Sequence, residues 1–142
     1  MYNLTMLPKQ RLAKLCEQFS LEILYVFGSR GQEAARLVME NQPMTNSSSD
    51  LDIGVLPARL LSARKKVTLT IALEDFFGVN RVDLILLPEA DPFLAANIIR
   101  GERLYERDHY QADEYNLFVL RRAGDLIPLE RERLDLIEKR LT

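Results

Sequence analysis

Three aspartates inside apolar, strand-like runs constrain this chain more than any other feature. Asp50 and Asp52 stand two residues apart in Asp50-Leu51-Asp52-Ile53-Gly54-Val55, and Asp83 stands in Val82-Asp83-Leu84-Ile85-Leu86-Leu87. Along a strand, residues i and i+2 point to one face with Cα atoms about 6.5 Å apart. Asp50 and Asp52 therefore share a face, while Leu51, Ile53 and Val55 pack on the other. Carboxylates so placed repel one another and raise each other's pKa unless a cation bridges them. A hard divalent ion such as Mg²⁺ fits, since carboxylates, waters and phosphate oxygens are its usual ligands. If the Asp83 strand pairs beside the Asp50/Asp52 strand, all three acids face one space. Three carboxylates can hold two ions about 3.5–4 Å apart, an arrangement suited to in-line phosphoryl or nucleotidyl displacement.

A second element precedes the acids. The run Ile23-Leu24-Tyr25-Val26-Phe27 stops at Gly28-Ser29, followed by Arg30 and a helix-like segment from Gly31 to Met39. Glycine lets backbone approach a ligand closely, and a helix N-terminus presents free N–H groups to phosphate. The Ser29 hydroxyl adds a donor, and the Arg30 guanidinium can neutralise phosphate charge. Each piece also has a plainer reading. Gly-Ser after a strand can be a turn with an N-cap, with Ser29 and Gln32 at capping-box spacing. Asp-x-Asp can be a loop or a solvated face, and Asp83 can lie on an edge in water. The ordered combination is what favours phosphate chemistry.

The remaining chain reads as a small mixed sheet with packed helices, an α/β (α+β) class. Apolar spacing predicts a helix over Pro8 to Phe19 and strands over Leu21 to Phe27, Asp50 to Leu56 and Arg81 to Leu87. Further helices are expected over Pro57 to Phe77 and Asp91 to Ile99, with a short edge strand at Arg103-Leu104-Tyr105. Asn41 to Ser49 is a polar loop. From Tyr110 the chain reads as helical, interrupted around Gly124 and Pro128, and its last piece carries Leu134, Ile137 and Leu141 on one face. That face is expected to pack on the chain's own core, with contact to a partner as the alternative.

At 142 residues the chain is read as one domain, 1–142, with a core over about 10–108 and a helical segment over 110–142. The net charge of −2 offers no basic field for obligatory nucleic-acid binding. The single cysteine, Cys16, excludes an internal disulfide and a multi-cysteine zinc site, and its apolar setting suits a structural thiol. No run approaches the ~18–20 apolar residues of a membrane span, so the cytoplasm is the expected location. His109, the only histidine, lies in a polar stretch and is read as exposed. Arg64-Lys65-Lys66 is read as a solvated helix face.

The segments Val26-Phe27-Gly28-Ser29-Arg30, Ser49-Asp50-Leu51-Asp52-Ile53 and Arg81-Val82-Asp83-Leu84-Ile85 resemble the minimal nucleotidyltransferases of the DNA polymerase beta-like superfamily. Asn97 to Glu106 is similar to that family's closing segment. The resemblance implies that Gly28 and Ser29 contact nucleotide phosphates, with the adjacent Arg30 counted as nucleotide-binding on its charge, and that Asp50, Asp52 and Asp83 form the catalytic, Mg²⁺-binding triad. It implies transfer of AMP from ATP with release of pyrophosphate. Many small members are antitoxins that add AMP to a tyrosine of an all-helical HEPN ribonuclease toxin, so a toxin partner is expected, in a homo- or hetero-oligomer. Transfer to a small molecule and contact-only neutralisation of a toxin are the alternatives. One departure stands out: the 20 residues between Ser29 and Asp50 exceed the family's usual spacing.

Overall fold

The computed structural model describes residues 6–141, with side chains at all of these but 126–130 and 141. The elements run α1 (Pro8–Gln18), β1 (Leu21–Phe27), α2 (Gly31–Glu40), β2 (Leu51–Pro57), α3 (Ala63–Phe77), β3 (Val82–Leu86), α4 (Pro92–Ile99), β4 (Glu102–Glu106) and α5 (His109–Leu141). A 3₁₀ turn at Leu87–Glu89 follows β3.

The four strands form one mixed sheet in the order β3-β2-β1-β4. β1 is antiparallel to both β2 and β4, while β2 and β3 run parallel. The period-two alternation of the strands sorts their residues onto two packed faces. Leu24 and Val26, Leu51, Ile53 and Val55, and Val82, Leu84 and Leu86 join Leu12, Cys16, Ala34, Val38, Leu69 and Leu73 from α1 to α3. Ile23, Tyr25 and Phe27 on the reverse face join Ala95, Ile98 and Ile99 of α4 with Ala112, Val119 and Ala123 of α5. Both faces are covered, which explains why the strands read as near-continuous apolar runs. Burial pushes the Cys16 thiol far up, so it behaves as a small core apolar group.

The sheet permits α4 to lie close because β2 carries glycine at position 54. A Cβ there would overlap the Ile98 side chain, which is fully buried. Gly54→Ala is therefore expected to cost about 1–3 kcal/mol through overpacking. A thermal melt checks this, and an unchanged midpoint would contradict the close packing.

Two expectations about the helices are corrected. α3 begins at Ala63 rather than near Pro57, because Ser62 caps it by accepting from the Lys65 N–H at 3.2 Å. Pro57 instead ends β2. The second correction concerns the C-terminal segment, where α5 runs 33 residues without interruption through Gly124 and Pro128. Gly124 is the residue whose carbonyl a helical Pro128 leaves without a donor. The helix spans about 50 Å, and its buried positions end at Ala123. Leu134 and Ile137 are 57% and 46% exposed, so that face does not pack on the core, while the Leu141 side chain lies outside the described residues. Among the described residues no helix is long and apolar enough to cross a membrane.

Candidate active site

Register brings two of the predicted acids together. Phe27 of β1 faces Asp52 of β2, and Asp52 faces Asp83 of β3, so the three residues form a row across the sheet. Neighbouring strands lie about 4.8 Å apart, and residues paired in this way share a face. The row lies on the side of α4, since Leu51 and Ile53, Asp52's neighbours in β2, pack on the opposite face. Burial first, then the charges of Asp83 and Asp50, raise the Asp52 carboxyl above its ordinary value. Both burial and neighbouring negative charge disfavour the ionised form of a carboxylate.

Asp50 falls just before β2 rather than within it. Its carboxylate turns to Arg81 at 3.8 Å, in a pair whose side chains are 40% and 79% exposed respectively. An ion pair so open to water is worth little and is easily surrendered. Among the described residues no three His, Cys, Asp or Glu side chains already form a metal-holding group. The donor set nevertheless suits a hard divalent cation: Asp52 and Asp83 are paired oxygen ligands, and Asp50 lies two residues away with a weak partner.

Gly28 follows Phe27 in the left-handed region, at φ 74°. A Cβ there would overlap the Asp52 carboxylate, so the turn presses bare backbone against the acid. Ser29 is exposed beside it. It does not form the expected capping box, because Arg30 occupies the N-cap position of α2 and offers no side-chain cap. The Gly31 N–H donates to the Gly28 carbonyl at 3.2 Å, and the N–H groups that follow it in the first turn have no side-chain cap from Arg30.

Arg30 departs furthest from expectation. It is 5% exposed and directs its guanidinium to the polar loop rather than outward from the Gly28-Ser29 turn. Its nitrogens donate to the carbonyls of Thr45 and Ser49 and to the Glu33 carboxylate.

A cavity of about 240 Å³ opens beside Gly28, where Gln32 of α2, Asn97 of α4, Arg100 just after α4, and Glu102 of β4 line it. Three elements distant in sequence meet there. Sequence reading included Asn97 to Glu106 in a resemblance but assigned no role to Asn97 or Arg100, and it read Gln32 only as a capping-box partner of Ser29. A second basic residue at the Gly101 turn was the available signal. A wider cavity, about 590 Å³ between α1 and α3, contains none of the three aspartates. His109 is exposed and pairs with Glu106 and Asp113. Its pKa is raised by the Glu106 hydrogen bond first.

A family profile described as "Polymerase beta, Nucleotidyltransferase" matches residues 10–110, and the chain belongs to that family. Among solved structures, a toxin–antitoxin with AMP-PNP is 25% identical with a TM-score of 0.63, covering 94% of this chain and 98% of its own. A toxin–antitoxin MntA-HpeT mutant is 24% identical with a TM-score of 0.64 over the same shares. The third is tri-AMPylated Shewanella oneidensis HEPN toxin in complex with MNT antitoxin, 24% identical with a TM-score of 0.60, covering 95% of this chain and 97% of that one. These likenesses place the fold. Among curated proteins, none matches the sequence.

Proposed function

We propose that this nucleotidyltransferase carries AMP from ATP to a protein acceptor, a HEPN-type toxin, in an Mg²⁺-dependent reaction. The observation that carries the reading is the Asp52–Asp83 pairing against the bare backbone of Gly28. Likeness to a toxin–antitoxin seen with AMP-PNP supports both the nucleotide and the class of partner. Asp50, Asp52 and Asp83 would hold Mg²⁺, which when bound offsets charge on the transferring phosphoryl group. Gly28, Ser29 and the uncapped start of α2 would bind the triphosphate oxygens. Because Arg30 is committed elsewhere, Arg100 is the cationic side chain in the cavity beside Gly28. At about 240 Å³ that cavity falls below the ~300–1,000 Å³ of whole-ligand pockets. It suits the phosphate tail better than a complete nucleotide.

In the reaction, an acceptor tyrosine oxygen attacks the α-phosphorus and the bond to the bridging oxygen breaks. Pyrophosphate leaves, and the hydroxyl proton passes to the solvent that exposed Asp83 faces. Binding and orientation supply much of the acceleration in such a transfer. The outward apolar side chains of α5, Leu134, Leu136 and Ile137, suit contact with a helical partner.

The test is incubation of the protein with cell lysate, Mg²⁺ and ATP labelled at the α-phosphate. A labelled protein band is expected, lost with Asp52→Asn, and Arg100→Ala should raise the ATP needed for half-labelling about tenfold or more. Label on a small molecule instead of protein would move the acceptor to that class. Neutralisation of a toxin without any label would favour a contact-only role.

A further inference from the structure

Arg30 immediately follows the exposed Gly28-Ser29 turn, yet it is the buried charged residue of the described chain. Burying a guanidinium costs several kcal/mol unless its donors are met. Here four hydrogen bonds draw on its five N–H groups. Nε donates to Glu33 at 3.3 Å, and Nη2 to Glu33 at 3.4 Å and to the Thr45 carbonyl at 2.7 Å. Nη1 donates to the Ser49 carbonyl at 3.2 Å. Glu33 completes the clasp, accepting from the Thr45 N–H and from the Thr45 hydroxyl at 2.7 Å.

The clasp closes on the stretch that lengthens the interval between turn and acids. Residues 42–49 form neither helix nor strand, so they have no ladder of their own. Ser49 is the residue before Asp50. On the other side, the Leu51 N–H donates to the Arg81 carbonyl at 3.0 Å. Asp50 therefore hangs between two backbone anchors, and among the described residues its side chain has the open pair with Arg81. The Thr45 hydrogen bond and then Arg30 hold the Glu33 carboxyl down to about 2, so the clasp stays charged at working pH.

We infer that Arg30 is a positioning residue: through Thr45 and Ser49 it holds the 42–49 segment so that Asp50 stands ready beside Asp52 to share a divalent cation. This rests on the proposed role of the acids and adds a part for Arg30 that does not involve the nucleotide. A lysine keeps the charge but lacks the planar fork that reaches Glu33 and two carbonyls together.

The experiment uses the full chain with Arg30→Lys and the milder Glu33→Gln, which guards against a variant that fails to fold. Amide exchange over 42–50 should quicken in both, and Mn²⁺ binding followed by electron paramagnetic resonance should weaken about 10–100-fold in Arg30→Lys. In transfer assays the Mg²⁺ requirement should rise while saturating Mg²⁺ restores most of kcat. Unchanged exchange and Mn²⁺ affinity in both variants would overturn the inference. So would a fall in kcat or in ATP affinity with Mn²⁺ binding intact, which would return Arg30 to the nucleotide. Wild-type protein that binds no Mn²⁺ would overturn it as well. Wild-type protein that binds Mn²⁺ but transfers nothing would remove the proposed activity alone, because exchange and Mn²⁺ binding still judge Arg30.

Discussion

Asp52→Asn is expected to remove nucleotidyl transfer and leave the fold as stable as before or slightly more so. Asp52 is the central residue of its row, between Phe27 and Asp83, and the acid against which Gly28 is pressed. An amide at this place keeps the shape but gives up the charge that would attract a divalent cation. A metal's share of transition-state stabilisation is several kcal/mol, so transfer should fall on the order of 10³-fold or more. The stability half of the result follows from the crowded charges. Burial, Asp83 and Asp50 raise the Asp52 pKa above its ordinary 3.8 in the folded chain. Folding therefore favours the protonated form. That contribution is complete below pH 3.8 and is lost as pH rises through the folded value. Asparagine is neutral throughout and does not incur the loss. Without metal, the wild type should lose stability relative to the variant between acid and neutral pH, and Mg²⁺ should restore it only in the wild type. Melts at pH 4 and pH 7, with and without Mg²⁺, measure this together with transfer. An active variant, or one that unfolds, would contradict the role given to Asp52.

The parts of this structure legible in the sequence are those fixed by short-range period. Alternation put Leu51, Ile53 and Val55 on one face and therefore Asp52 on the other, and the parallel pairing of β2 with β3 then aligned Asp83 with it. Gly28 was conspicuous because it ends an apolar strand at a turn. What escaped depends on residues far apart in the chain. Arg30 reads as a surface cation beside a phosphate turn until the loop folds back, bringing the Thr45 and Ser49 carbonyls within reach. Nothing in the local pattern encodes that return. Arg100 and Gln32 meet at one cavity only because α4 and β4 close over the end of β1. At the C-terminus, local rules misled in the opposite direction. Gly124 and Pro128 signal a break, but α5 continues through both. Helical spacing showed that Leu134 and Ile137 share a face, but not that the helix outruns the sheet and leaves both exposed.

Gly28→Ala should separate backbone strain from damage to the acidic row, because the chain contains its own control. Gly28 and Gly78 both lie in the left-handed region, at φ 74° and 67°. An alanine at either position costs about 1–2 kcal/mol in backbone strain. Their surroundings differ. A Cβ on Gly28 would overlap the Asp52 carboxylate, whereas one on Gly78, which caps α3, meets nothing within 4 Å. At position 28 either the carboxylate turns away from Asp83 or the turn backs away from the acid. Each movement misplaces groups that must act together, and a shift of about 1 Å can cost on the order of 10²-fold in rate. Both variants are thus expected to melt a few degrees lower, by about 2–8 °C per kcal/mol for domains near this size. Only Gly28→Ala should also lose transfer, by about 10²-fold. Its Mn²⁺ affinity should fall too, since Asp52 would be a ligand. Equal losses of transfer in the two variants would mean that the turn matters only for stability. Full transfer in Gly28→Ala would mean that its backbone does not border the reacting phosphates.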